Sequence, residues 1–434
     1  MKRFHMRCVF TASTGFLALV GLLMVLHSPA IVGEVVVEVA ESAFGVAPAR
    51  AEKMKSSRAR MDDPRGVVSD PYIYYPGTEA LGEDEIRVIA CGTGMPAARR
   101  GQAAACFVVE LGNGDKFVFD LGSGSMRNIM ALNIPADFLD KIFLSHLHTD
   151  HWGDLDGMWA GGWTGGRTGP LRVWGPSGAR EDMGTAHAVE GFMAAYNWDY
   201  VTRAVKINSV PGSIEVNEFD YKGINEVVYD EKGVVIRSVP AIHAGDGPVS
   251  FILEWKGYRV IYAGDTAPNK WFMKHAKDAD LIIYECMLTP DQLMEFYGQP
   301  AQRAMMMQTD IHTSAQAFGK IMSTLKPRHA VAYHFYNEEK TRYAIYDAIR
   351  QTYDGPLSMA DDMMVWNLTR DGIRERMAVS ADDAWDVAGP NRPPLPDKKF
   401  PPQETQFILG GRWDVSEVEN EAFKEFRKRH GLDD

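Results

Sequence analysis

The sequence predicts a mixed α/β fold with sheets covered by helices, and three observations carry that expectation. Short β-rich runs divided by glycine-containing turns fill the chain from Glu85, helical periodicities interleave with them, and a dense group of histidines and aspartate closes one β run. The 434 residues are 45% hydrophobic and 24% charged, proportions that exclude a disordered, collagen-like or multi-span membrane protein. No internal repeat is visible.

The N-terminus reads as an address. Lys2, Arg3 and Arg7 precede an uncharged stretch from Cys8 to Leu26, and Ser28-Pro29-Ala30 supplies a small-x-small site, the order of a secretory signal. The stretch is also long enough to stay as a single membrane anchor. Residues 1–30 are therefore expected to be a cleaved signal or an anchor, with the body exported to the periplasm or beyond. Residues 31–82 read as a linker or arm: Val/Ala/Glu-rich sequence, a basic patch (Arg50, Lys53, Lys55, Arg58, Arg60), then Pro64, Pro71 and Pro76. Cys8, Cys91, Cys106 and Cys286 each lie in an apolar run, which favours free thiols over a Cys91–Cys106 bridge.

The β runs follow in order: 85–94, 105–125 with a hairpin at Gly112-Asn113-Gly114-Asp115, 140–148, 234–242, 249–255, 258–265, 279–286 and 329–335. Helices are expected over 181–195, 269–277, 313–325 and 338–351. In the third, Ala317, Phe318, Ile321, Met322 and Leu325 share a face, Thr313 or Ser314 can cap it, and Pro327 stops it. The prolines from Pro390 to Pro402 make residues 371–434 a connector, closed by a helix from Ser416 with Glu419 completing a capping box.

The chemistry concentrates in FLSHLHTDHWGD (143–154). Residues two apart on an extended chain point the same way, so His146 and His148 can grip one ion while Asp150 and His151 face a second. Imidazole with carboxylate suits Zn²⁺, with Mn²⁺ or Fe²⁺ as alternatives. Trp152, Trp159, Trp163 and Trp174, with glycines between them, read either as a lid beside the site or as plain packing.

HLHTDH resembles the HxHxDH signature of the metallo-β-lactamase fold. GTGMP (92–96), FVFDLGSGS (117–125) and GPSG (175–178) are similar to its ribonuclease Z and arylsulfatase branch. The resemblance spans about Glu85 to Trp366 and implies an αββα four-layer sandwich, with a catalytic domain over 83–370. It further implies that His243 joins His146 and His148, that His334 joins Asp150 and His151, and that Asp265 bridges two zinc ions per chain. His312, in DIHTSAQAF, would be catalytic together with Asp150, although the order His-Thr-Ser departs from the branch's His-Ser-Thr. Asp120 and Ser145 would orient the ligand imidazoles.

The expected function is an exported dinuclear-zinc hydrolase acting on a small ester of the aryl sulfate or phosphodiester type. A lactonase or β-lactamase-like hydrolase is the enzyme alternative, and a non-hydrolytic metal-binding component of a natural-product pathway, of the guanitoxin type that the chain also resembles, is the other. No Gly-x-Ser-x-Gly elbow or GxxxxGK[ST] loop occurs. Three features lead to the expectation of no nucleic-acid partner: the formal charge of −12, the export signal, and the spacing of His243 and Asp265, only 22 positions apart where the resembled ribonuclease Z branch carries a tRNA-gripping arm. Membrane contact is expected only through an uncleaved N-terminal segment, and the oligomeric state, homodimer included, is left open.

Overall fold

The structure is a computed structural model that describes residues 70–381, 384, 394–397 and 399–432. The expected signal, the basic patch, Cys8 and the prolines from Pro390 to Pro393 lie outside the described residues. Among the described residues there are two sheets. The first runs, in spatial order, β1 (Ile73–Tyr74), β16 (Ile373–Ala378), β15 (Met364–Leu368), β2 (Ile86–Gly92), β3 (Cys106–Leu111), β4 (Lys116–Phe119), β5 (Lys141–Phe143), β6 (Leu171–Pro176) and β7 (Ile214–Phe219). The second runs β14 (Leu357–Met359), β13 (His329–Tyr333), β12 (Leu281–Glu285), β11 (Tyr258–Tyr262), β10 (Val249–Trp255), β9 (Val234–Pro240) and β8 (Glu226–Glu231).

Aromatic rings fill the space between the sheets. Phe107 and Phe119 from the first sheet meet Tyr262 from the second at centroid distances of 5.6 and 5.9 Å, and Phe143 meets Phe251 at 5.7 Å. Helices cover the outer faces. The helix Ala315–Leu325 buries Phe318, Ile321 and Met322 on the second sheet beside Glu339–Arg350, and Leu155–Gly165 covers the first. The result is the four-layer αββα order.

Most local expectations hold. Ser314 accepts from the Ala317 amide and caps the helix Ala315–Leu325, which ends at Lys326 in a left-handed turn before Pro327. The Gly112–Asp115 turn joins β3 to antiparallel β4. Cys91, Cys106 and Cys286 are buried free thiols. The sheet reaches past 83–370 at both ends because Arg376 on β16 is buried against Glu79, at 2.7 and 3.1 Å, and Asn367. The capping box at Ser416 and Glu419 does not form: Ser416 is already the first residue of Ser416–His430, and its amide is taken by Asp414.

The Gly/Trp segment is a packed helix rather than a lid. Trp159 and Trp163 are buried, and their indole N–H groups donate to Gly212 O at 2.7 Å and Asn208 O at 2.6 Å. Gly162 is required because a Cβ there would stand 2.1 Å from the guanidinium of Arg167, whose charge is dispersed over the carbonyls of Met158, Trp159 and Pro211. Among the described residues no helix is long and apolar enough to cross a membrane.

Candidate metal centre

The topology delivers the polar residues to one rim. β4, β5 and β6 run parallel, as do β11, β12 and β13, and β9 shares that direction through antiparallel β10. Asp120 follows β4, His146 to His151 follow β5, His243 follows β9, Asp265 follows β11, Glu285 ends β12 and His334 follows β13. Two of them leave their strands in the left-handed region, Asp120 at φ 56° and His334 at φ 69°, which turns each side chain inward at a cost in backbone strain. The His334 amide is fixed on Thr93 O at 2.9 Å. A Cβ on Gly122 would stand 2.1 Å from Asp150 O, so that glycine is what lets the histidine loop close on the sheet.

Three overlapping groups of donor atoms result, the third formed by His243, Asp265, Glu285 and His312. In the first, His148 Nδ1 lies 3.1 Å from both His146 Nε2 and His243 Nε2. In the second, His334 Nε2 lies 3.3 Å from Asp150 Oδ2 and 3.1 Å from Asp265 Oδ2, while His151 Nε2 lies 3.6 and 3.4 Å from the same two carboxylates. Asp265 Oδ2 is also 3.8 Å from His243 Nε2, so this carboxylate spans both groups. Asp150 Oδ1, His151 Nε2 and Asp265 Oδ1 are buried without any hydrogen-bond partner. Buried, acceptor-rich and unsatisfied atoms at such spacing are a cradle for divalent cations. His146 and His243 are suited to that role, because burial pushes both imidazoles down, His243 to about 4, and keeps them neutral with a lone pair free.

The outward faces of these ligands are held as well. Asp120 is fully buried and accepts from the Ser145 amide, the Ser145 hydroxyl and the Tyr262 hydroxyl, each at 2.6 Å, and it lies 2.6 Å from His151 Nδ1. Ser145 Oγ stands 3.1 Å from His146 Nδ1, and His243 Nδ1 is 3.0 Å from Ile311 O. The sequence reading places Asp120 and Ser145 here but misses Tyr262, which looks like an ordinary strand residue until the sheets pack.

His312 stands beside the cluster with its ring centroid 4.7 Å from that of His243. Its Nδ1 is 3.0 and 3.1 Å from the two oxygens of buried Glu285, and its Nε2 has no partner among the described residues. Burial opposes a charge on this imidazole, but Glu285 and then Asp265 outweigh it and hold the group up to about 9. Glu285 is the second residue that sequence reasoning misses. It ends a β run in LIIYE, and only the approach of β12 to the loop before Ala315 reveals its partner.

The chain is similar to known proteins over this same region. Residues 99–276 match the family model described as the metallo-β-lactamase superfamily. A ribonuclease Z from Mycobacterium marinum is 29% identical over 238 residues, 53% of this chain and 79% of that protein. A ribonuclease Z from Mycobacterium avium is 31% identical over 207 residues, 46% of this chain and 69% of that protein. Among solved structures, the metallo-β-lactamase fold protein YhfI from Bacillus subtilis aligns with a TM-score of 0.50 at 17% identity, over 66% of this chain and all of that one.

These relatives overturn the expectation of no nucleic-acid partner, since they are ribonucleases by name. A net charge is an average over the whole chain and does not describe one cleft, and the β10–β11 hairpin that fills the interval from His243 to Asp265 does not bear on which bond is cut. By family model, relatives and fold together, the chain belongs to the metallo-β-lactamase superfamily and is a metal-dependent hydrolase.

Proposed function

We propose that the chain is a phosphodiester hydrolase that works with two divalent ions, zinc by the chemistry of the donors. The observation that carries this reading is the pair of donor groups joined by Asp265, with unsatisfied atoms buried between them. His146, His148 and His243 would hold one ion, Asp150, His151 and His334 the other, and Asp265 both. When bound, such ions supply Lewis acidity to the non-bridging oxygens and a water acidified toward neutrality.

The protein's own contribution is placement and proton transfer. Asp150 keeps Oδ1 buried with no protein donor on it, and this oxygen would orient the attacking water. Glu285 fixes the His312 ring through Nδ1, so that Nε2 faces the substrate carrying the proton. As water adds to phosphorus and releases one proton to solvent, the ester P–O bond breaks and the proton of His312 passes to the departing oxygen. Ribonuclease Z relatives support a phosphodiester over an aryl sulfate or a lactone. The order of charges and apolar residues in 1–30 supports action outside the cytoplasm.

Purified protein should contain close to two zinc-type ions per chain and hydrolyse bis-p-nitrophenyl phosphate in a chelator-sensitive way, with precursor RNA, p-nitrophenyl sulfate and a lactone as parallel substrates. Absence of metal after careful loading, or metal content unchanged in His146→Ala with His148→Ala, would sink the reading. Turnover of the sulfate or lactone alone would reassign the ester. A reporter fused behind residues 1–40 should cross the membrane; its retention would remove the compartment from the proposal.

A further inference from the structure

The loop from His243 to Pro248 separates two clefts. One opens on His146 and His148. The other, about 670 Å³, lies on the far side of His243 and is bounded by Tyr221, Lys222, Ile224, Ile242, Trp271 and the Asp310-Ile311 pair. Ile311 directly precedes His312, and its carbonyl anchors His243. The second cleft therefore adjoins the proton donor of the mechanism above. Its walls include aromatic and apolar side chains, with Ile224 52% and Ile242 42% exposed. Lys222 Nζ lies 5.2 Å from the Tyr221 ring centroid and Lys270 Nζ 5.5 Å from that of Trp271, and among the described residues neither ammonium has a carboxylate partner. Two carboxylates also line the cleft, each accepting a hydroxyl: Asp246 from Tyr221 at 2.9 Å and Asp310 from Thr309 at 2.8 Å.

An apolar cleft of this size with a few polar groups at its edge is the usual form of a small-molecule site. Aromatic faces beside cations that lack a carboxylate partner are what a planar ring with a neighbouring negative charge needs. We propose that this cleft is the leaving-group subsite, taking an alcohol that carries a flat aromatic group, with Trp271 as the ring's main contact and Lys222 placed for an anionic substituent beyond it. The proposal rests on the phosphodiester reading for the direction of cleavage. Two sources share this chemistry, an aryl alcohol and a nucleoside.

Binding reads the cleft without turnover. Phenyl phosphate and methyl phosphate, titrated calorimetrically into the purified protein, share the group that meets the cluster and differ only in the ring. Phenyl phosphate should bind about tenfold tighter, the scale of one stacked ring. Trp271→Ala should abolish the difference and Trp271→Phe should keep most of it. Equal affinity in the wild type, or a preference that survives Trp271→Ala, overturns the assignment. Adenosine 3′,5′-bisphosphate against adenosine 5′-phosphate separates the sources: a gain of several-fold that Lys222→Ala removes points to a nucleoside, and no gain overturns the part given to Lys222 and leaves an aryl alcohol. Hydrolysis of bis-p-nitrophenyl phosphate is followed in the same preparations. Ring preference without hydrolysis would defeat the hydrolase reading and spare the cleft, whereas hydrolysis without ring preference would do the reverse.

Discussion

The two halves of the donor cluster are built on different principles. The first consists of three imidazoles, two buried and one, His148, exposed at the mouth of a cleft. The second combines two carboxylates with two imidazoles, all four buried, and Asp120 is pressed against the back of His151. A neutral, accessible group suits an ion that exchanges and meets substrate. An anionic, enclosed group suits an ion that stays, because a cation there relieves two buried carboxylates as well as gaining ligands. Gradual chelation should therefore strip the first group before the second.

The comparison breaks most completely at Asp265, which belongs to both halves. Asp265→Ala should lower metal content below one ion per chain and reduce hydrolysis to background. If one full ion stays at the second group, as judged by metal analysis after dialysis, the two groups are independent and the shared carboxylate is not what couples them. Outside the cluster the effect should be smaller and of another kind. His312→Ala should cut kcat by about 10² to 10⁴, the usual worth of a general acid, with both ions retained. Loss of an ion in that variant would make His312 a ligand, and a rate within about twofold of wild type would leave it only a neighbour of the helix that follows.

What the sequence made legible was whatever the chain writes locally. The HLHTDH segment names four donors in six residues because an extended run and one turn suffice to aim them. Asp265, in YAGDT, and His334, in AYHFY, were legible through the resemblance of those segments to the family's pattern. Glu285 and Tyr262 were not visible, since each is an ordinary strand residue whose role depends on what the opposite layer brings. Strands β6, β7 and β8 escaped for a related reason. The latter two carry charged residues along exposed faces, so their apolar alternation is weak. The Trp-rich helix was open to misreading because glycines signal a loop, whereas here Gly162 makes space for Arg167.

The finest test of the difference between the halves lies behind them, at Asp120. Its carboxylate touches His151 directly at 2.6 Å but reaches His146 only through the Ser145 hydroxyl, by links of 2.6 and 3.1 Å. Four contacts at 2.6 Å leave no room for an amide that must donate as well as accept, so Asp120→Asn should disorder the shell without deleting any ligand. Groups of this kind are worth about 10- to 100-fold in metal affinity. Most of that loss should fall on the second group, since His151 loses the acceptor that fixes its ring, while His146 keeps the serine hydroxyl beside it. Competition with a chromophoric chelator resolves the two affinities in one titration. A larger loss at the first group would show that Ser145 transmits more than direct contact does, and would reverse the order of release expected for the two ions.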